Sequence, residues 1–531
     1  MKQFIEKYRD QINGVLTGFD RLVFRGSLRR LNQGWWDKGL KAFVARGMEE
    51  YLWQNKILFK DYQDHVKQIS ERLKQQTVEP LRKQGVPVEF LRDPKADKDA
   101  LAREIAAKTD IRSGTVCVIS ALEPSPTFEH RGMHIIRRIR PCHVLYHYQV
   151  HPELGWLHAR IQTWFPFNMQ IAMNGREWLA RQMDREGLKY VQHDNCFVWL
   201  EDYSRAQGLL EEQLSTNWAA LLEGFSRQLN PLRESVFERY PTDYYWTTYQ
   251  SEWATDVVFK EAAFLRQLMP LLVRHGMLSY ASTDVLRFFG RKVNLSGAIP
   301  AYFNEILQTD LKRRQEGERV KYQLNGNSAK FYDKAYSQVG SVLRAETTIN
   351  TVKGYRVYRP KEGGPENDLQ WRDMRKGIAD LHRRAEVSQK GNERVMDALA
   401  SVDDSRSIAE MTREIQKPVI WNGRRVRALH PWAGDHELLT AINHGDFLIN
   451  GFRNRDLQKL LYDAEAPADE RRRRSAAVSR SLRLLRAHGL IQKVPRTHRY
   501  QVTQTGRVIL VAVLTTARTS LNQLNQLQQA A

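Results

Sequence analysis

Between Arg471 and Tyr500 the chain carries ten Lys or Arg and no Asp or Glu. A run this cationic can fold only if its few apolar residues collect on one surface. Val478, Leu482 and Leu485 recur at i, i+4, i+7, one stripe of an α-helix. Ser479, Arg480, Arg483 and Arg486 fall on other faces, so the predicted helix is apolar on one side and cationic on another. Gly489 stands where a left-handed C-cap belongs, and Leu490 follows to close the apolar contact. Two strand-like pieces come next, Leu490–Val494 and Arg499–Thr503, joined by the basic turn Pro495-Arg496-Thr497-His498. A solvated surface helix would account for the arginines, but not for a turn and hairpin placed after the cap.

The same bias extends to the whole chain. Its formal net charge is +21, with a pI near 9.8. That excess favours a polyanionic partner, nucleic acid before membrane, because neutralising phosphates releases counterions. A length of 531 residues is enough for two to four domains. Hydrophobic and charged fractions of 42% and 27% are those of globular protein, not of disorder. Three scattered cysteines, Cys117, Cys142 and Cys196, suit buried free thiols better than a disulfide framework or a zinc site. The longest apolar run, Val508–Leu514, is far short of a membrane span, and Met1–Tyr8 lacks the apolar core of a signal peptide. A cytoplasmic protein with no membrane partner is the expectation.

Along the chain, Gly14–Leu28, Val86–Leu91 and Thr115–Leu122 read as strands and Lys98–Lys108 as a helix, the rhythm of an α/β layer. Arg131–Arg140 is a basic patch without an acid, and Arg287–Lys292 is a second candidate phosphate surface. Residues 204–282 read as helical. Within them Asp243–Asp256 is dense in Tyr and Trp, which suits packed core or, alternatively, a base-stacking surface. Gly317–Tyr358 is β-rich, with Asn325-Gly326 as a tight turn, and a charged helical connector follows.

Acids on separate strands of the first domain define one candidate centre. Asp20 lies in a strand, Glu123 follows another, and Asp194 interrupts a third. Converging carboxylates are hard oxygen ligands for Mg²⁺ or Mn²⁺, and such ions support phosphodiester cleavage. Their order is similar to that in RNase H-type nucleases and transposases. The same acids also suit ordinary roles: Asp20 paired with Arg21 or Arg25, Glu123 capping a loop, Asp194 in an Asx turn. No P-loop, dinucleotide fingerprint, zincin helix or Gly-x-Ser-x-Gly elbow occurs.

Two resemblances follow. The helix ending Leu485-Arg-Ala-His-Gly-Leu-Ile491 with its basic hairpin resembles the winged helix-turn-helix domain of MarR-like regulators. The resemblance implies double-stranded DNA as partner. Ser479, Arg480, Arg483 and Arg486 would then meet a groove or its phosphates, and Arg496, His498 and Arg499 would form the wing. Lys330-Phe-Tyr-Asp-Lys334 with Leu343-Arg-Ala-Glu346 resembles a short segment of the rolling-circle replication initiators of plasmids and filamentous phages. That implies metal-dependent nicking, with Asp333 and Glu346 as ligands. Ion pairs of Asp333 with Lys334 and of Arg344 with Glu346 are the other reading of these residues. The initiators' His-hydrophobic-His pair is not found: His143, His147 and His151 are four apart in a strand, so neighbours are ~13 Å apart.

The expected architecture is α+β and multidomain. An α/β domain occupies 1–203, a helical region 204–300, a β-rich segment with a helical connector 301–415, and the winged helix 416–531. The expected function is nucleic-acid binding by a DNA-processing protein of a mobile element or replicon, with Mg or Mn as cofactor if it cleaves. Whether it is an enzyme stays open. A non-enzymatic regulator and an RNA-binding protein are the alternatives.

Overall fold

Residues Ile12–Arg30 run as one strand nineteen residues long, with Thr, Val, Phe and Leu where side chains must pack on a pleated surface. Its antiparallel neighbour is Thr242–Phe259, and the two are paired from end to end. The large sheet extends to both sides of this pair. The computed structural model describes residues 1–30, 41–93, 95–278, 280, 282–291, 305–314, 317–334, 341–361, 364–365, 367–400, 407–444, 447, 451–462, 466–494 and 497–520.

Up to position 349 the strands among the described residues are, in chain order, β1 (Ile12–Arg30), β2 (Lys41–Ala42), β3 (Val88–Leu91), β4 (Gly114–Arg131), β5 (His134–His151), β6 (Gly155–Gln162), β7 (Met169–Asn174), β8 (Tyr190–His193), β9 (Cys196–Leu200), β10 (Thr242–Phe259), β11 (Leu307–Arg314), β12 (Gly317–Leu324), β13 (Asn327–Asp333) and β14 (Ser341–Ile349). Twelve of these make one mixed sheet in the order β11-β12-β13-β14-β10-β1-β7-β6-β5-β4-β3, with β2 on the side of β1. β8 and β9 form a separate hairpin. Asn325 and Gly326 both have positive φ, as the tight turn between β12 and β13 requires.

The expected helical middle is corrected by β10. Its first half alternates: Tyr244 and Trp246 are buried, while Tyr245 and Tyr249 reach the surface under the guanidinium groups of Arg29 and Arg25. The aromatic density is thus mostly core. The sheet also crosses the boundaries expected at 203 and 300, because β10 and β14 lie beside β1. Arg287 is buried against Asp284, so it presents no phosphate surface, and Lys292 lies outside the described residues. The histidines of β5 do stand on a strand, with His147 buried.

Among the described residues three large apolar cores result, with two small clusters beside them. One joins the β1–β7–β6–β5 side of the sheet to the helices Ala45–Gln54, Tyr62–Thr77, Gly175–Glu186 and Trp218–Leu229. A second joins β10–β14 and β12–β13 to the helices Ala262–Leu278 and Leu381–Leu399. Full burial of residues such as Phe19, Phe24 and Tyr322 contributes about 1.5–3 kcal/mol each. Helix Leu381–Leu399 also forms a polar seam on the sheet. Asn392 donates to the Trp253 carbonyl at 3.0 Å and accepts from Thr347, and Gln389 accepts from the Trp253 indole at 2.8 Å. The third core, from Ile415 to Val513, belongs to the C-terminal unit alone. Among the described residues no helix is long and apolar enough to cross a membrane.

Candidate functional site

The first site lies on the sheet face opposite the Leu381–Leu399 seam. Phe19 faces Trp253 and Arg21 faces Glu252, so Asp20 is the extra residue of a β-bulge, a device that re-aims a side chain. The helix Gly175–Glu186 starts against this bulge: a Cβ on Gly175 would lie 1.8 Å from the Phe19 carbonyl oxygen. That approach delivers Arg176, fully buried, to Asp256 at 2.8 Å. Register does the rest. Asp256 faces Arg344, Ala254 faces Glu346, and Glu346 faces Lys330, so β10, β14 and β13 present these side chains to one face.

Arg344 is the hub. It donates to both Asp256 oxygens at 2.5 and 2.8 Å, to Asp20 Oδ1 at 2.8 Å and to the Asn195 carbonyl at 2.7 Å. Asn195, in the turn between β8 and β9, gives its amide to both oxygens of Asp20 at 2.9 Å. Glu346 takes Lys330 Nζ at 2.5 Å and the Tyr332 hydroxyl at 2.9 Å. Glu252 accepts from the Gln250 amide at 3.0 Å.

Asp20, Glu252 and Glu346 each offer an oxygen, and the three lie within 4.8 Å of one another. Their environments separate them. Burial, then the charges of Glu346 and Asp20, push Glu252 up to about 7. Burial raises Asp20 despite Arg344. Burial also works against ionised Glu346, but Lys330 and Arg344 outweigh it and hold the group below its usual range. Arg344 and Arg176 do the same for Asp256. Such a set can share a proton between a neutral and an ionised carboxyl, or supply oxygens to a divalent cation.

Of the five acids expected from sequence, the structure brings together Asp20 and Glu346. Glu123 sits four strands from β1, roughly 19 Å away, held by Arg160 at 2.9 Å, Lys98 and Tyr146. Asp194 pairs with Lys334 at 2.8 Å. Alternation along β13 turns Asp333 away from Lys330 and Tyr332. The expected Arg344–Glu346 pair is replaced by Arg344–Asp256 and Lys330–Glu346. Sequence reasoning missed Glu252, Asp256 and Arg176. Glu252 and Asp256 were visible only as acids inside an aromatic run, and Arg176 carried no signal.

The second site is on the C-terminal unit. Helix Ala468–Ala487 buries Val478, Leu482 and Leu485, the stripe read from sequence. Hairpin Ile491–Lys493/Tyr500–Val502 follows, and Phe452 and Tyr500 exchange backbone hydrogen bonds that tie it to the preceding helix, Asn454–Leu461. Asn454 pins the two helices, donating to the Ser475 carbonyl and Ser479 Oγ at 2.9 and 2.8 Å. Between them opens a concavity of about 630 Å³ lined by Arg453, Arg455, Ser479, Arg483, Arg486 and His498, with Trp421 at its rim. The guanidinium of Arg486 lies 5.0 Å over the Trp421 ring.

Ser479, Arg483, Arg486 and His498 line this one concavity. Arg480 is exposed, ~100° round the helix from Ser479, and Arg499 lies on the hairpin outside the lining. Arg496 lies outside the described residues. Arg453, Arg455 and Trp421 were missed because they come from segments preceding the cationic run. No protein-family model, curated protein or solved structure matches this chain.

Proposed function

We propose that this protein binds nucleic acid, duplex DNA in the first place, through a winged-helix C-terminal unit. One observation carries the reading: the concavity in which Arg453, Arg455, Arg483, Arg486 and His498 surround Ser479 and Asn454. Guanidinium donors at this density suit phosphate oxygens and base edges. Helix Ala468–Ala487 is the recognition helix of this proposal, and hairpin Ile491–Val502 its wing.

A DNA-processing role, in a protein of a mobile element or replicon, is the second half of the proposal. It is supported by Asp20, Glu252 and Glu346, which would supply oxygens to Mg²⁺ or Mn²⁺. The strands that resemble replication initiators, β13 and β14, are neighbours and carry Lys330, Tyr332, Arg344 and Glu346 to that centre. Tyr332 acts there as a donor to Glu346, and burial raises its hydroxyl well above the usual range, against a role as nucleophile.

Fluorescence anisotropy with a labelled duplex over a salt series tests the binding half. The double change Arg483→Ala, Arg486→Ala should weaken binding and lower the slope of log K against log salt by about 1.8. An unchanged slope and affinity would overturn it. Labelled single- and double-stranded DNA incubated with Mg²⁺ or Mn²⁺ tests the processing half. Cleavage should disappear in Glu252→Ala without loss of duplex affinity. Binding without any cleavage would favour a regulator, and preference for structured RNA over duplex DNA would favour the RNA-binding reading.

A further inference from the structure

The basic patch Arg131–Arg140 is not used by either site. It forms the outer part of the β4–β5 hairpin, whose strands stay paired up to Arg131 and His134 around the two-residue turn Gly132-Met133. β3 leaves β4 after Ala121, and β6 meets β5 only from Val144 onward. Between those limits the hairpin is a two-stranded ribbon.

The ribbon is held firmly at one side. Phe128 and Ile135 are buried in the main core. Thr127 donates to the Phe165 carbonyl at 2.9 Å, Tyr62 to the Phe128 carbonyl at 3.1 Å, and the Ile135 amide to Glu49 at 2.9 Å. The rest of the ribbon is exposed and cationic, with Arg137 and Ile139 on the face of Ile135 and Arg138 and Arg140 on the opposite one. Arg131, Arg137, Arg138 and Arg140 are all exposed. Glu129 stands 3.7 Å from both Arg138 and Arg140, Glu49 lies 3.7 Å from His134, and four arginines against these two acids leave a surplus of two charges. Met133 and Ile139 sit among these arginines with 82% and 72% of their surface in solvent.

We infer that this ribbon is a second nucleic-acid contact, built for a duplex groove. Two strands ~4.8 Å apart with their side chains match the ~12 Å major groove, which admits a β-ribbon as readily as a helix. Arginines on both faces reach the flanking phosphates, and Met133 and Ile139 meet sugars and base edges in place of water. Rigid support from the core means that little ordering is needed on binding. The surface lies on the body of the protein, so it is a contact separate from the C-terminal concavity.

The test is a salt series with the full chain and a labelled duplex. Changing Arg137, Arg138 and Arg140 together to Ala should lower the salt slope by about 2.7, and the matching triple change to Lys should restore it. Ile139→Ser should weaken binding with the slope unchanged. Wild-type slope and affinity in the triple Ala variant would overturn the inference. If Arg483→Ala, Arg486→Ala weakens binding while the ribbon variant does not, the ribbon alone is refuted. If neither does, the C-terminal reading falls with it. Flotation with phosphatidylserine vesicles is the second arm: loss of vesicle binding with duplex binding intact would make the ribbon a membrane contact and overturn the inference as well.

Discussion

Arg344 grips Asp256 with two prongs, Nε on Oδ1 at 2.5 Å and Nη2 on Oδ2 at 2.8 Å, and both side chains are fully buried. Removing one partner leaves the other charge in the interior, which costs about 3–5 kcal/mol. Arg344→Met should therefore lower the urea midpoint of the body strongly. Arg344→Lys should rescue little, because a single ammonium cannot span both oxygens and also reach Asp20. Equilibrium unfolding followed by circular dichroism checks both. A Lys variant of wild-type stability would show that charge alone suffices.

Glu252 makes stability depend on pH. Its folded pKa, about 7, lies above the ordinary 4.5, so the folded state holds the proton more tightly than the unfolded chain. Stability associated with this group is greatest below pH 4.5 and declines as pH rises to about 7. Glu252→Gln should remove that decline, making the variant more stable than wild type at pH 8 and nearly equal to it at pH 5. Midpoints measured across this range, taken as variant minus wild type, isolate the effect. Buried His147 acts in the opposite sense: burial lowers it from 6.5 to about 4, so its contribution is lost as pH falls through that window.

Two glycines should respond in opposite directions to the same substitution. Gly175→Ala places a methyl group against the Phe19 carbonyl and must push the helix off the Asp20 bulge, at a cost of about 1–3 kcal/mol. Gly224, in the helix Trp218–Leu229, has open space around the added methyl. Gly224→Ala should stabilise by about 0.4–1 kcal/mol through the unfolded chain. Thermal melts of the two variants provide the comparison.

Trp421 positions charge without carrying any. Trp421→Ala frees the Arg486 guanidinium from the ring that orders it, so duplex affinity should fall several-fold with the salt slope unchanged. Arg486→Ala should lower both. A Trp421 variant with wild-type affinity would separate the stack from binding.

Short-range features were legible in the sequence. The helix Ala468–Ala487, its Gly489 cap and the hairpin after it follow from periodicity and turn chemistry over neighbouring residues. The buried network was not, because its members are brought together by sheet register. Asp20 and Arg344 are 324 positions apart, and no local pattern announces their pairing. β10 was hidden for a related reason. Beyond Ser251 it is buried almost throughout, with helix Leu381–Leu399 on one face and the ion network on the other. Ser251, Thr255 and Asp256 are therefore interior, and the polar–apolar alternation that marks a strand fades. Residue type alone picked out Asp20 and Glu346, whereas Glu252 was obscured by its aromatic neighbours.

The pairing of β1 with β10 also has a consequence for biosynthesis. Arg30 pairs with Thr242, and Ile12 with Phe259. At about 5–20 residues per second, β1 leaves the ribosome tens of seconds before β10 exists. β7 arrives earlier but pairs only with Arg21–Gly26. The nascent chain thus carries a nineteen-residue strand with one edge open until β10 has been made. Protection of that edge during synthesis, which β7 on the other side of β1 cannot supply, is a demand that this topology places on the cell that makes the protein.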